Sequence, residues 1–172
     1  MNPVLTKSNS GDSERWLKAR IDILLLSLPL TMVLNPIWAA LSIIPLGGYF
    51  PAFGVVPLPT LVTVVGLHLF NSGVVGLVCL WVARTKAPVR TLFLVLLTLQ
   101  AWVSATWAAG ALACWIDGNT TNNIFLALLV ITMMWALALM RSVHPAMLAA
   151  GVLPLMAMLW LRAATSSGEA AQ

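Results

Sequence analysis

The chain has 172 residues, 60% of them hydrophobic and only 8% charged, and its mean hydropathy is +0.96. Soluble domains run near a quarter charged, so a soluble fold is excluded and a membrane protein is expected. The formal charge of +4 comes from basic residues grouped at the ends of apolar segments, a pattern of membrane topology that argues against nucleic acid as a partner.

The first twenty residues, MNPVLTKSNSGDSERWLKAR, are polar. They read as a flexible cytoplasmic segment, 1–20, that ends in a basic amphipathic turn with Trp16 at headgroup level. No short apolar core with a small-residue cleavage site follows, so a secretory signal is not expected. Five apolar stretches come next, from about Ile21 to Leu46, Leu58 to Ala83, Val89 to Trp115, Ile124 to Met140 and Val143 to Leu161. A hydrocarbon core of roughly 30 Å needs about 20 helical residues to cross it. Continuous apolar runs without period-two alternation exclude a barrel, leaving an all-α membrane bundle over 21–162 and a flexible polar tail over 163–172.

Lys7, Arg15, Lys18 and Arg20 precede the first segment, Arg84, Lys86 and Arg90 lie between the second and third, and Arg141 lies between the fourth and fifth. The loops GGYFPAFGVVP and DGNTTN carry one charge, Asp117. The N-terminus is therefore expected in the cytoplasm, with those two loops outside. Arg162 fits this scheme poorly, which hints at a missing sixth crossing or at a fifth segment that does not fully span.

The first segment holds Pro29, Pro36 and Pro45, so a kink is expected, with Thr31, Asn35 and Ser42 near enough to satisfy freed carbonyls. Gly66, Ser72, Gly73 and Gly76 give the second segment a small-residue surface for close helix contact, and Ser104, Ala108 and Ala111 repeat the device in the third. Ser72, Gly73, Gly76, Asn35 and Pro36 are the expected packing positions. Of the eight tryptophans, Trp16, Trp81, Trp115 and Trp160 suit interfacial anchoring, while Trp38, Trp102, Trp107 and Trp135 lie deeper and suit a cavity.

Catalytic chemistry has little to work with. Neither a phosphate loop nor a paired carboxylate is present, and Cys79 and Cys114 lack metal-ligand spacing, so neither an enzyme nor a metal site is expected. His68 is the one ionisable side chain deep in an apolar segment, and such residues are functional candidates. With Asn71 and Ser72 on the same helical face, it serves either as interhelical glue or as a ligand site. Haem through His68 would need a second axial histidine at matching depth, and His144 sits near the opposite boundary. No cofactor is therefore expected. The candidate ligand-binding set is His68, Asn71, Ser72, Trp38, Trp102 and Trp107. Met133, Met134, Met140, Met147, Met156 and Met158 read as adaptable packing rather than a soft-metal path. The NTT at Asn119 fits a glycosylation sequon, a short and common pattern.

The order of features resembles the multi-spanning N-terminal input region of bacterial membrane histidine kinases and diguanylate cyclases. The likeness lies in the entry helix ARIDILLLSLPLTMVLNPIWAAL, the end CLWVART, the third helix RTLFLVLLTLQAWVSATWAAGALACW, and the turn SVHP before a proline-bearing GVLPLM. It implies a sensory signal-input module in a bacterial inner membrane, acting as a homodimer or through a signalling partner, with output after Gln172 or on another chain. A second resemblance is to the tryptophan-rich sensory, TspO-like proteins, through LQAWVSATW and LPLMAMLW, although GGYFPAFGVVPLPT replaces that family's tryptophan-proline first loop. It implies binding or transport of a porphyrin or another lipophile. An accessory subunit of a membrane complex is the third reading.

Overall fold

A computed structural model describes the backbone of residues 3–141 and 144–169, and the side chains of 14–42, 44–138 and 144–165. The described chain is helical: α1 (Pro3–Leu46), α2 (Leu58–Arg84), α3 (Val89–Ala113), α4 (Thr120–Arg141) and α5 (Pro145–Glu169), with a short 3₁₀ turn at Pro51–Phe53. Each of the five contains a segment long and apolar enough to cross a membrane. The chain is thus a multi-pass membrane protein with an all-helical bundle.

α3 is the centre. It packs on α1, α2, α4 and α5, and its apolar window is 39% buried against 17% for α4. Its inward face carries Gln100, Ser104, Thr106, Trp107, Ala108, Gly110 and Ala111, a row of small and polar side chains that lets neighbouring backbones approach. Outward faces of the bundle carry Leu26, Leu69, Phe70, Leu77, Leu128 and Leu153, all exposed. In lipid such exposure is solvation, because hydrocarbon chains are as apolar as leucine.

The helix ends depart from the sequence expectation at five places. α1 begins at Pro3 and runs 44 residues, about 66 Å at 1.5 Å per residue, so the segment read as flexible is helical. No proline interrupts 4–28, and Leu17 and Ile21 join the cluster formed with Leu24, Leu28, Val75 and Leu96. α4 starts four residues before Ile124 because the Asn119 side-chain oxygen accepts from the Asn122 backbone N–H at 2.9 Å, as an N-cap does. α3 gives way before Trp115, where the Cys114 and Trp115 N–H groups bond to the Gly110 and Leu112 carbonyls. α5 begins with Pro145 at a first-turn position, where a missing N–H costs nothing, and it continues through Arg162 into the expected tail. Val143 lies outside the described residues.

Pro29, Pro36 and Pro45 all sit inside α1. Two nearby hydroxyls bond to carbonyls other than those four residues before each proline. Thr31 donates to Ser27 O at 3.0 Å and Ser42 donates to Trp38 O at 2.7 Å, while Asn35 turns towards α3. These are ordinary back-bonds to the residue one turn earlier.

One end of the bundle is locked by its loops. Val56 N–H bonds to Leu46 O at 3.1 Å, Phe53 meets Phe125 edge-on at 5.3 Å between ring centroids, and Gly54 (φ +71°) lies where a Cβ would come 2.8 Å from Asn119 Nδ2. Only glycine combines that backbone angle with that approach. Arg162 belongs to this end as well: it pairs with Asp117 at 3.4 Å and lies over the Trp115 ring at 5.4 Å. α5 therefore reaches the end that carries the Asp117 loop, and the arginine that fitted the charge pattern poorly has both a counter-ion and an aromatic face. At the opposite end His144 packs edge-on against Phe93 at 4.7 Å.

Candidate functional site: two amide–indole clasps around the third helix

Helical geometry turns His68, Asn71 and Val75 of α2 inward together with Leu61, since residues three, four and seven apart share a face. His68 is 1% exposed and Asn71 fully buried. Both meet α3. Trp102 Nε1–H donates to Asn71 Oδ1 at 2.9 Å, Asn71 Nδ2–H donates to Thr106 Oγ1 at 2.5 Å, and the Thr106 hydroxyl donates to Val103 O at 2.7 Å. An indole N–H only donates, so the amide oxygen must face Trp102 and the amide nitrogen must face Thr106. Each polar side-chain atom in this relay has at least one partner, as a low-dielectric interior demands.

The α1 contact uses the same chemistry and leaves it incomplete. Trp107 Nε1–H donates to Asn35 Oδ1 at 2.5 Å, which by the same logic turns Asn35 Nδ2 away. That nitrogen is buried without a partner among the described residues, and Asn35 is only 5% exposed. Such an orphan costs about 1–3 kcal/mol in protein interiors.

Asn35 lines a crevice of about 110 Å³ between α1, α3 and α4, together with Thr31, Trp38, Gln100, Val103 and Met133. Gln100 reaches it past Gly151, where a Cβ would stand 3.0 Å from Gln100 Nε2; the amide also donates to Ser104 Oγ at 3.2 Å.

A separate apolar cavity of about 30 Å³ is bounded by His68, Trp107, Ser42, Gly110, Leu126 and Leu155. That is room for one or two water molecules. The His68 and Trp107 rings lie 4.1 Å apart, and His68 Nδ1 is buried without a partner among the described residues. No macrocycle fits this space, so haem at His68 does not suit the structure, and His144 lies at the far end beside Phe93.

The structure sorts the remaining sequence candidates. Ser72 is half-buried and donates to His68 O at 3.0 Å, so its hydroxyl bonds within α2. Gly76 lies where a Cβ would be 3.1 Å from Met32 Sδ in α1, while Gly66 and Gly73 have open space around them. The reason is the helical period: seven residues apart, Gly66 and Gly73 share an outward face that His68 does not. Pro36 is half-buried beside Asn35. Trp102 is 47% exposed and Trp38 43%, and Trp135, 66% exposed, lines an open groove between α4 and α5 with Met134, Leu148 and Val152. Met147 and Met158 are buried in different clusters, whereas Met156 is exposed; the Met140 side chain lies outside the described residues. Among the described residues no three His, Cys, Asp or Glu side chains come together as a metal site would require.

Sequence reading passed over Thr106, Gly110 and Asn122. Asn122 is fully buried and donates to Cys114 O at 3.0 Å. A signal for it existed, because Asn119 three residues ahead of it at the head of an apolar run is a capping pattern. Thr106 and Gly110 stand in an apolar run where nothing local distinguishes an inward threonine or glycine from an outward one.

The chain matches no protein-family model, no curated protein and no solved structure.

Proposed function

We propose that the chain is a non-enzymatic sensory module, a signal-input element of a bacterial inner membrane with its N-terminus in the cytoplasm. Its function is to report on something within or across the bilayer to a homodimeric copy or a signalling partner. The orientation rests on the lysines and arginines that gather at the end holding Lys18, Lys86 and Arg141, as the positive-inside rule requires.

The observation that carries the reading is the unequal fastening of two helices to α3. α2 is held to α3 by a closed relay through Asn71, whereas the bond that joins α1 to α3, Trp107 to Asn35, leaves a buried amide nitrogen without a partner among the described residues. α1 then continues without a break into the N-terminal segment. α1 packs closely along α2, but a helix whose seam with α3 is unfinished and which leaves the membrane as a rod is an element that a signal can bias between two positions.

The test is a pair of spin-label distances in nanodiscs, with Cys79 and Cys114 first replaced by alanine. Labels at Lys18 and Lys86 report α1 against the rest of that end; labels at the exposed Leu80 and Leu94 report α2 against α3. Trp107→Phe should broaden or shift the Lys18–Lys86 distribution and leave the Leu80–Leu94 distribution in place. If neither pair responds, α1 is as fixed as α2 and the input reading fails.

A further inference from the structure

We propose that His144 is a proton-operated latch on the N-terminus of α5: its neutral ring caps the helix, and protonation of the ring releases the cap. His144 stands just before Pro145, and its backbone already serves the helix, since His144 O accepts from Leu148 N–H at 3.1 Å. Pro145 has no N–H, so the first donor of α5 belongs to Ala146, and it bonds to His144 Nδ1 at 3.2 Å. This is the arrangement of an N-cap, with an imidazole nitrogen in the place of the usual side-chain oxygen. That replacement matters. A hydroxyl or amide oxygen accepts at any pH near neutrality, whereas an imidazole nitrogen accepts only while it carries no proton. A ring that accepts at Nδ1 is neutral, with its proton on Nε2, and a second proton turns Nδ1 into a donor set against the Ala146 donor. The latch therefore opens on acidification.

The place of His144 in the bundle gives the release a consequence. Its ring packs edge-on against Phe93 of α3, with centroids 4.7 Å apart, and Phe93 packs against the cluster that joins Met147 to Ile21 and Leu24 of α1, Val75 of α2 and Leu96 of α3. Met147 is buried and belongs to the first turn of α5, so the turn that the cap holds is the one that seals this cluster. The charged groups of the surrounding elements are Arg90, one turn before Phe93 on α3, and Lys18 and Asp22 beside Ile21 on α1, all exposed. Arg141 ends α4, with its side chain outside the described residues, and α5 has no ionisable side chain before Arg162. Among the described residues the one ion pair is Arg162 with Asp117, so no carboxylate holds the His144 ring in place once it is protonated. The positive end of the α5 dipole repels an imidazolium there. The latch goes beyond the sensory reading and stands apart from it, because that reading rests on the seam between α1 and α3.

The test is ¹⁵N NMR of the protein in nanodiscs at pH 8 and pH 5, the range in which histidine serves as a switch, with the His144 ring assigned through its contact to the Phe93 ring. Protection of the Leu148 amide against hydrogen exchange is measured at both pH values and corrected for the intrinsic rate. At pH 8 Nδ1 should give the signal of an unprotonated ring nitrogen. At pH 5 the ring should be an imidazolium, and Leu148 protection should fall about fivefold, as loss of a typical N-cap allows. His144→Asn keeps a capping acceptor that takes up no proton, so its protection should match wild type at pH 8 and stay there at pH 5. His144→Ala should show the lower protection at both. The proposal is overturned if Nδ1 carries the proton at pH 8, if the ring is still neutral at pH 5, or if the ring titrates and wild-type protection does not change. It also falls if His144→Asn loses protection as wild type does, or if His144→Ala keeps the pH 8 value. The wild-type spectra alone decide the matter should either variant fail to fold.

Discussion

Asn71 and Asn35 are the same residue in the same kind of place, each a buried asparagine receiving an indole N–H from α3, yet one contact is finished and the other is not. The difference lies on α3, which places Thr106 within reach of the Asn71 nitrogen and sets an open crevice beside Asn35 instead. Within hydrocarbon a polar side chain is worth little as glue unless both of its ends are used. Interhelical hydrogen bonds in membranes average about 0.6 kcal/mol and reach about 1.7 at most, so a half-used amide can cost as much as it contributes. The α2–α3 seam is thus closed, and the α1–α3 seam keeps an amide donor without a partner among the described residues.

Breaking the closed seam should have the largest effect. Asn71→Leu removes two interhelical bonds and strands the Trp102 N–H, so a loss of about 1–3 kcal/mol is expected in reversible unfolding in mild detergent. The matching change at the open seam, Asn35→Leu, removes one bond and the unpaired amide nitrogen but strands the buried Trp107 N–H, so one orphan replaces another. Its cost should stay under about 1 kcal/mol in the same measurement. Equal losses at the two positions would erase the comparison.

Glycine positions test the same seams by shape. Gly110→Ala puts a methyl 3.3 Å from Val64 Cγ1 and 3.5 Å from His68 Nε2, and a drop in stability of about 1 kcal/mol is expected. Gly73→Ala meets nothing and should be neutral or stabilising by up to about 1 kcal/mol through helix propensity alone. The smallest effect belongs to Ser72→Ala. Its hydroxyl only back-bonds to His68 O, so a change beyond about 0.5 kcal/mol in the same unfolding assay would mean that Ser72 holds another helix after all.

Much of the architecture could be read from residues alone, because apolar length and the placement of lysine and arginine are one-dimensional signals. Five helices, their order and most of their limits follow from such signals. The start of α1 did not, since a polar helix that leaves the membrane carries no hydropathy mark. Composition could flag His68 and Asn71 as polar residues deep in an apolar run, and both prove buried against α3. It could not say that Asn71 pairs with Trp102 and Thr106, or that Asn35 faces Trp107 across 72 positions of chain. Those pairings depend on the rotation of one helix about its axis relative to another, which no short window contains. The same blindness explains the glycines: Gly73 and Gly76 look alike in sequence, and only the packed bundle puts Met32 against one and open space against the other.

The position of α3 in the chain also bears on how the protein is made. α1 and α2 leave the ribosome first, and they enter the bilayer with Asn35 and Asn71 while the indoles that satisfy both amides are still to be synthesised, on α3. Until then the hairpin holds two carboxamides in oil with nothing assigned to them. The arrival of one helix closes one amide fully and the other by half, so a chain cut before Trp102 would leave both asparagines without their indole partners.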